Sequence, residues 1–394
     1  MNKIRYFDHS ATTAVDKQVI IEMLPYFNRE YGNPSSTYSI GRRAKRAINQ
    51  ARKRVADVIN ANEKEIYFTG CGSESDNIAL KGIAYENKAR GNHIITSKIE
   101  HPAILNTCKT LEKEGFNITY LDVDKNGLIN TDELKRAILN ETILISIMYA
   151  NNEIGTIQPM YEIGKIAKEK NILFHTDAVQ AIGNVKIDVK RMNIDMLSMS
   201  AHKFYGPKGV GALYVKSGIK FGKLLDGGHQ EKDKRAGTEN VPGIVGLGKA
   251  IQIADSKLEK YNNHVKNLRD YFEKQVEKYI PYIKINGDKN KRLPGNSNIS
   301  FRFVEGEALL LNLDMKGICA SSGSACSSGS NNVSHVLTAI GLTENFSRST
   351  LRFTFGKENT IEDVDYLIQA LIDIVNKLRE TSLEYLEYNK KIKS

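Results

Sequence analysis

The sequence predicts an α/β protein, with a mostly parallel sheet covered by helices in a large domain and a smaller α+β domain beside it. Three observations carry this. Apolar strand-like runs alternate with helix-period segments from about residue 94 to residue 215, the pattern of parallel strands joined by crossover helices. The chain has 394 residues, more than a single hydrophobic core usually serves. Acidic, amide and basic residues fall where the strands end, and open α/β sheets bind their ligands there.

In chain order, 68–77 reads as a strand end, a turn of small residues and a helix start. Residues 94–97 read as a strand and 102–114 as a helix, 117–123 as a strand and 131–140 as a helix, 142–150 as a strand and 159–170 as a helix. Further strands are expected at 172–177, 194–200 and 210–215. A long charged helix over about 245–279 leads to the second domain, where 294–301 opens a strand-rich part and a last helix over about 361–385 closes it. These boundaries set the large domain at 16–260 and the small one at 1–15 with 261–394.

Hydrophobic residues make up 41% and charged residues 26% of the chain, an ordinary balance for a soluble globule. No apolar run approaches the roughly 18 residues of a membrane span. Residues 1–7 lack the apolar stretch of a secretory leader, so a cytoplasmic location is expected. The formal charge of +10 is spread along the chain. Its densest stretch, from Arg42, Arg43, Lys45 and Arg46 to Arg52, Lys53 and Arg54, fits one helix and reads as a solvated face. A surface for an acidic protein or tRNA is the other reading. Without interleaved aromatics, no direct DNA binding is expected. Four cysteines, Cys71, Cys108, Cys319 and Cys326, are too few for a disulfide framework, and no CxxC pair suggests zinc. Asp122 to Gly127 with Glu133 matches EF-hand spacing. A strand enters that loop instead of a helix, so it reads as a turn before a helix capped by Thr131, and calcium is rejected.

Two short runs carry the chemistry. Ser200-Ala201-His202-Lys203 follows an apolar strand. A lysine just past a strand end, among small residues, is suited to form a Schiff base, because burial and neighbouring charge lower an amine's pKa. Upstream, His175-Thr176-Asp177 ends another strand in an acid. A Schiff-base lysine with an acid for a pyridine nitrogen is the minimal apparatus for pyridoxal 5'-phosphate. Gly72 and Ser73, at a helix N-terminus, are suited to meet its phosphate. Arg352 sits among apolar neighbours, and its planar fork matches a carboxylate. Cys326 lies in a Gly/Ser stretch, 321–330, that small residues make mobile, as suits a thiol that must visit two sites.

From Asp8-His9-Ser10-Ala11-Thr12-Thr13 to Arg352, and most specifically in His175–Gln180, Ser200–Lys203 and Ser321–Ser328, the chain resembles the NifS/IscS-like cysteine desulfurases. These are class-V aminotransferase relatives with the fold-type I architecture of pyridoxal-phosphate enzymes. The resemblance implies conversion of L-cysteine to L-alanine. The sulfane sulfur would pass to a persulfide on Cys326 and then to an acceptor, an iron–sulfur scaffold or a tRNA-thiolation enzyme. It implies that Lys203 carries the cofactor, Asp177 keeps the ring nitrogen protonated, and His101 stacks on the ring and moves protons. Asn152 and Gln180 would contact the ring hydroxyl, Asn152 also the substrate. Ser200 and His202 would complete the phosphate cup, and Thr238 would reach the partner's phosphate across a homodimer. Arg352 would take the substrate carboxylate with Asn33 helping. The family also allows Cys326 to ligate a transient iron–sulfur cluster. The long Cys326 loop favours direct delivery to an acceptor, unlike the short-loop SufS-like group. Gly70-Cys71-Gly72-Ser73 departs from the family's Ser-Gly-Ala-Thr; Cys71 and Cys319 read as packing residues. A selenocysteine lyase or a small-amino-acid aminotransferase would share Lys203 and Asp177 without needing Cys326. A sulfur carrier would need Cys326 without Lys203.

Overall fold

The computed structural model describes residues 3–322 and 333–393. Its main sheet has seven strands, in the spatial order Ile66–Thr69, Gly211–Val215, Met196–Ser200, Leu173–Asp177, Thr142–Ser146, His93–Ser97 and Asn117–Leu121. The last five run parallel; Gly211–Val215 runs antiparallel to both its neighbours. The central strands are buried on every residue, which explains why they read as continuous apolar runs instead of alternating ones. Successive side chains still enter opposite layers. Leu144, Met196 and Leu213 pack with Ile78, Ile83, Ile104 and Leu111 of the Gly72–Glu86 and Pro102–Lys113 helices. Ile145, Leu197 and Ala212 pack on the other face with Ile48, Val55, Ile163 and Leu247.

A second, three-stranded antiparallel sheet runs in the order Thr350–Thr354, Asn296–Phe301, Ile283–Asn286. Phe353 and Phe301 on it pack with Phe272 of the Leu258–Tyr279 helix and with Leu367 and Leu371 of the Ile361–Glu380 helix. Arg5–Tyr6 pairs in parallel with Ile318–Cys319, so the chain's start joins this layer and Phe7 enters its core.

Several elements differ from the sequence reading. The expected helix over 245–279 is two helices, Val241–Ser256 and Leu258–Tyr279, broken at Lys257 (φ −114°, ψ 8°). The first is an apolar core helix and only the second is amphipathic, so their burial demands differ and the axis changes. The expected last helix stops at Glu380, and Leu383–Lys393 is a separate helix. The strand expected to reach residue 150 ends at Ser146, although Ile147 and Tyr149 still donate to the carbonyls of His175 and Asp177. Asn130, not Thr131, caps the next helix, its Oδ1 accepting from the amides of Asp132 and Glu133. Asp124 closes the EF-hand-like turn by accepting from the amides of Asn126 and Leu128. Arg52 is not on a solvated face: it is 7% exposed and pairs with Glu231. No helix among the described residues is long and apolar enough to cross a membrane.

Candidate active site

The carboxyl ends of five main-sheet strands open onto one cavity of about 390 Å³. Each strand contributes through the residues just beyond it: Gly72, Ser73 and Asp76; His101; Asn152 and Glu153; Asp177 and Gln180; His202 and Lys203. Ser10 and Ala11 from the chain's start, and Arg352 from the second sheet, complete the walls.

Lys203 is held by a strap far away in sequence. Its Nζ donates to the carbonyls of Ser10 (2.5 Å) and Ala11 (2.8 Å). The strap is fixed in turn: Thr13 Oγ1 donates to the His202 carbonyl, Thr12 Oγ1 contacts His202 Nδ1, and Gln180 Nε2 donates to the Ser10 carbonyl. Burial lowers the His202 pKa to about 4, so the imidazole beside Lys203 is neutral at physiological pH.

At the opposite wall the Gly72–Glu86 helix begins with its free amides toward the cavity, and Cys71 is its N-cap residue. A Cβ on Gly72 would lie 2.7 Å from Val179 Cγ2 and 3.4 Å from Ser200 Cβ. The absence of a side chain therefore leaves room for a group to approach the helix start. Cys71 is exposed and lines the cavity. It is thus not a packing residue, because a cap sits outside the helix it opens. Cys319, at the end of its short strand, is half-buried. Arg235 pairs with Glu74 in the helix's first turn, and Glu74 also accepts from the Gly70 amide.

The floor is acidic and buried. Asp177 is buried and accepts from the Val179 amide. Burial raises its pKa, while His101, that amide and Lys203 pull it down. His101 accepts from the Ala103 amide at Nδ1 (3.1 Å), so its neutral ring carries the proton on Nε2. Burial lowers its pKa, against the pull of Asp177. Glu100 accepts from Ser97 Oγ and the Met148 amide, and burial raises its pKa to about 8.

Arg352 is 1% exposed; its guanidinium donates to Asp8 Oδ1 (2.7 Å) and to the Asn152 carbonyl (3.0 Å). Its backbone exchanges hydrogen bonds with Ser321. Beyond the undescribed segment, Ser334 Oγ donates to Glu153 and His335 Nε2 to the Glu100 carbonyl. Both anchors of the segment bearing Cys326 are therefore at the cavity rim, while Cys326 itself lies outside the described residues. Two expected residues do not reach this cavity. Thr238 is exposed within the 235–240 segment. Asn33 is exposed with its Oδ1 accepting from the Ser35 amide, so within one chain it does not assist Arg352. Sequence reasoning missed Asp76, although its spacing of four from Gly72 marks one helix face.

The family profile described as aminotransferase class-V matches residues 5–367. The chain is 56% identical over 392 residues to "Cysteine desulfurase IscS" of Clostridium botulinum (strain Hall), covering 99% of each. A solved structure titled "NIFS-LIKE PROTEIN" superposes with a TM-score of 0.90 at 38% identity, covering 95% of this chain and all of that one. One titled "SspA in complex with cysteine" superposes with a TM-score of 0.80 at 40% identity, covering 90% of this chain and all of that one.

Proposed function

Belonging to the aminotransferase class-V family, the chain is a cysteine desulfurase, and we propose that it converts L-cysteine to L-alanine by way of a persulfide on Cys326. One observation carries the reading. Lys203, Asp177, His101 and an open helix N-terminus share a cavity whose rim anchors both ends of the Cys326 segment.

The cavity fits pyridoxal 5'-phosphate: Gly72 leaves room at the helix start, Asp177 offers a buried acid, and Lys203 an amine. When bound, the cofactor supplies a ring that stabilises negative charge on the substrate carbon beside the amine. Lys203 would anchor it through Nζ and, once the substrate amine has taken its place, would remove and return a proton at that carbon. Asp177, as an anion, would hold a proton on the ring nitrogen, and His101 would donate from Nε2 toward the ring. Gly72, Ser73, Ser200 and His202 would hold the phosphate; Gln180 and Asn152 would hold the ring hydroxyl. Arg352 orients the substrate by its carboxylate, fixed against Asp8 and Asn152.

The Cys326 thiolate then attacks the substrate sulfur. A sulfur–sulfur bond forms as the carbon–sulfur bond breaks, and the electron pair stays with the carbon fragment, which gains a proton and leaves as alanine. Cys326 is five residues beyond Ser321, so about 17 Å of extended chain limits its reach from the rim. A thiol leaving the cavity on such a tether suits delivery to a sulfur-acceptor protein for iron–sulfur assembly or tRNA thiolation. Transient iron–sulfur ligation by Cys326 belongs to the same reading. So do a homodimer, in which the exposed Thr238 reaches the partner's phosphate, and the cytoplasm as the compartment that keeps Cys326 reduced.

The test is alanine release from L-cysteine with a thiol reductant present. Cys326→Ser should abolish alanine while the visible spectrum still responds to cysteine. Undiminished alanine in that variant would reject the persulfide route.

A further inference from the structure

Asp76 is a buried carboxyl group to which the reaction above gives no task. It lies in the second turn of the Gly72–Glu86 helix, is 1% exposed and lines the cavity. Its Oδ1 has no hydrogen-bond partner among the described residues and lies 3.8 Å from His175 Nε2. Asp76, Asp177 and His101 each offer a side-chain atom within 4.8 Å of the others. Two buried carboxyl groups this close repel each other as anions, which favours one proton held by the pair.

The hydrogen bonds at the two carboxyl groups differ, and they decide which acid holds it. Asp177 accepts from the Val179 amide (2.9 Å), a donor that favours its anion. Asp76 Oδ1, in the same buried cluster, has no donor among the described residues. Behind Asp76, His175 is fully buried, and burial pushes its pKa down to about 3; its Nδ1 and Nε2 contact Ser146 Oγ (2.9 Å) and Ser198 Oγ (3.0 Å). The neutral ring supplies no positive charge to hold Asp76 as an anion.

Resting on the pyridoxal-phosphate reading of the cavity, we propose that Asp76 holds a proton and donates it to Asp177. It is then a positioning residue that keeps Asp177 ionised and oriented toward the ring nitrogen. The groups facing the pair agree. Burial, then Asp177, and more weakly Glu100 and Cys71, push the Asp76 carboxyl well above the usual range against the pull of the Ser198 hydroxyl. His101 and Lys203 favour the anion on Asp177.

Asp76→Asn and Asp76→Leu, made in the full-length protein loaded with pyridoxal phosphate, separate the possibilities. Asn can still donate a hydrogen bond to Asp177; Leu cannot. Cofactor loss into a trapping protein should stay within about twofold of wild type for Asn and be roughly tenfold faster for Leu, the scale of one charge-assisted hydrogen bond. The pH midpoint of the cofactor's visible band should move only for Leu. One protonated-carboxyl infrared stretch of the wild type should be missing from Asp76→Asn, while the stretch that Glu100→Gln removes stays in both. Asn behaving like Leu, Leu behaving like wild type, or no stretch assigned to Asp76 would each overturn the proposal. The infrared reading needs no cofactor. Failure of the wild-type protein to take up pyridoxal phosphate would therefore count against the functional reading and leave the proton on Asp76 separately measurable.

Discussion

Replacing Arg52 with Met should loosen the strand that leads into the turn proposed to hold the cofactor's phosphate. Arg52 reaches Glu231 with both guanidinium nitrogens, at 2.6 and 2.8 Å, and Nη1 also donates to the Ile66 carbonyl at 2.6 Å. Glu231 accepts at the same time from the Phe68 amide, and the guanidinium lies 4.7 Å over the Phe68 ring. Removing the cation strips two hydrogen bonds from a buried carboxylate and one from a strand carbonyl. Breaking a buried pair from one side costs about 3–5 kcal/mol. At about 1.4 kcal/mol per tenfold change, even the lower figure is roughly two orders of magnitude in local opening. Amide hydrogen exchange of a peptide over 66–71 reads this directly, and the double variant Arg52→Met/Glu231→Leu should recover most of the protection, because an apolar pair leaves no charge buried alone. Exchange within about threefold of wild type in the single variant, or a double variant worse than the single, would refute the reasoning. Because the Ile66–Thr69 strand runs into Cys71 and Gly72, faster cofactor loss should accompany the opening.

Gly72→Ala puts a methyl 2.7 Å from Val179 Cγ2, so cofactor affinity measured by equilibrium dialysis should drop about tenfold, the effect of roughly 1.4 kcal/mol of crowding; unchanged affinity would mean that the phosphate binds elsewhere. Burial holds the Glu100 carboxyl at about 8 against an ordinary 4.5. The folded chain therefore keeps a proton that the unfolded chain has released, and this stability, full below about pH 4.5, is lost as pH rises through about 8. Glu100→Gln should remove that fall, so denaturation midpoints of variant and wild type should diverge between acid and alkaline pH; parallel curves would sink the assignment. Borohydride reduction of the loaded protein should fix a pyridoxyl group on the Lys203 peptide and none in Lys203→Ala; a label on another lysine would remove Lys203 from its role.

The parallel sheet was legible because buried strands and crossover helices alternate in apolar content, and the ligand-bearing strand ends follow from that topology. Lys203, Asp177, His101, Gln180 and Asn152 could accordingly be read as neighbours from strand position. What was not legible depends on distant pairing. The Ser10–Ala11 strap meets Lys203 from the chain's start, far away in sequence. Arg52 hides in a basic run, although it falls in the same stripe as Ile48, Val55 and Ile59, and only Glu231, far along the chain, makes it a buried residue. The break at Lys257 carries no Gly or Pro signal; it marks the change from a core helix to an amphipathic one. Cys71 reads as a small packing residue until the turn is built, when its capping position exposes it.

Incubating the purified, cofactor-loaded protein with L-cysteine in the absence of reductant, and weighing the peptide that contains Cys326, tests the central claim most directly. The account predicts one added sulfur on Cys326, with alanine released in matching amount. An unmodified Cys326 in a protein that has bound pyridoxal phosphate and consumed cysteine would contradict it.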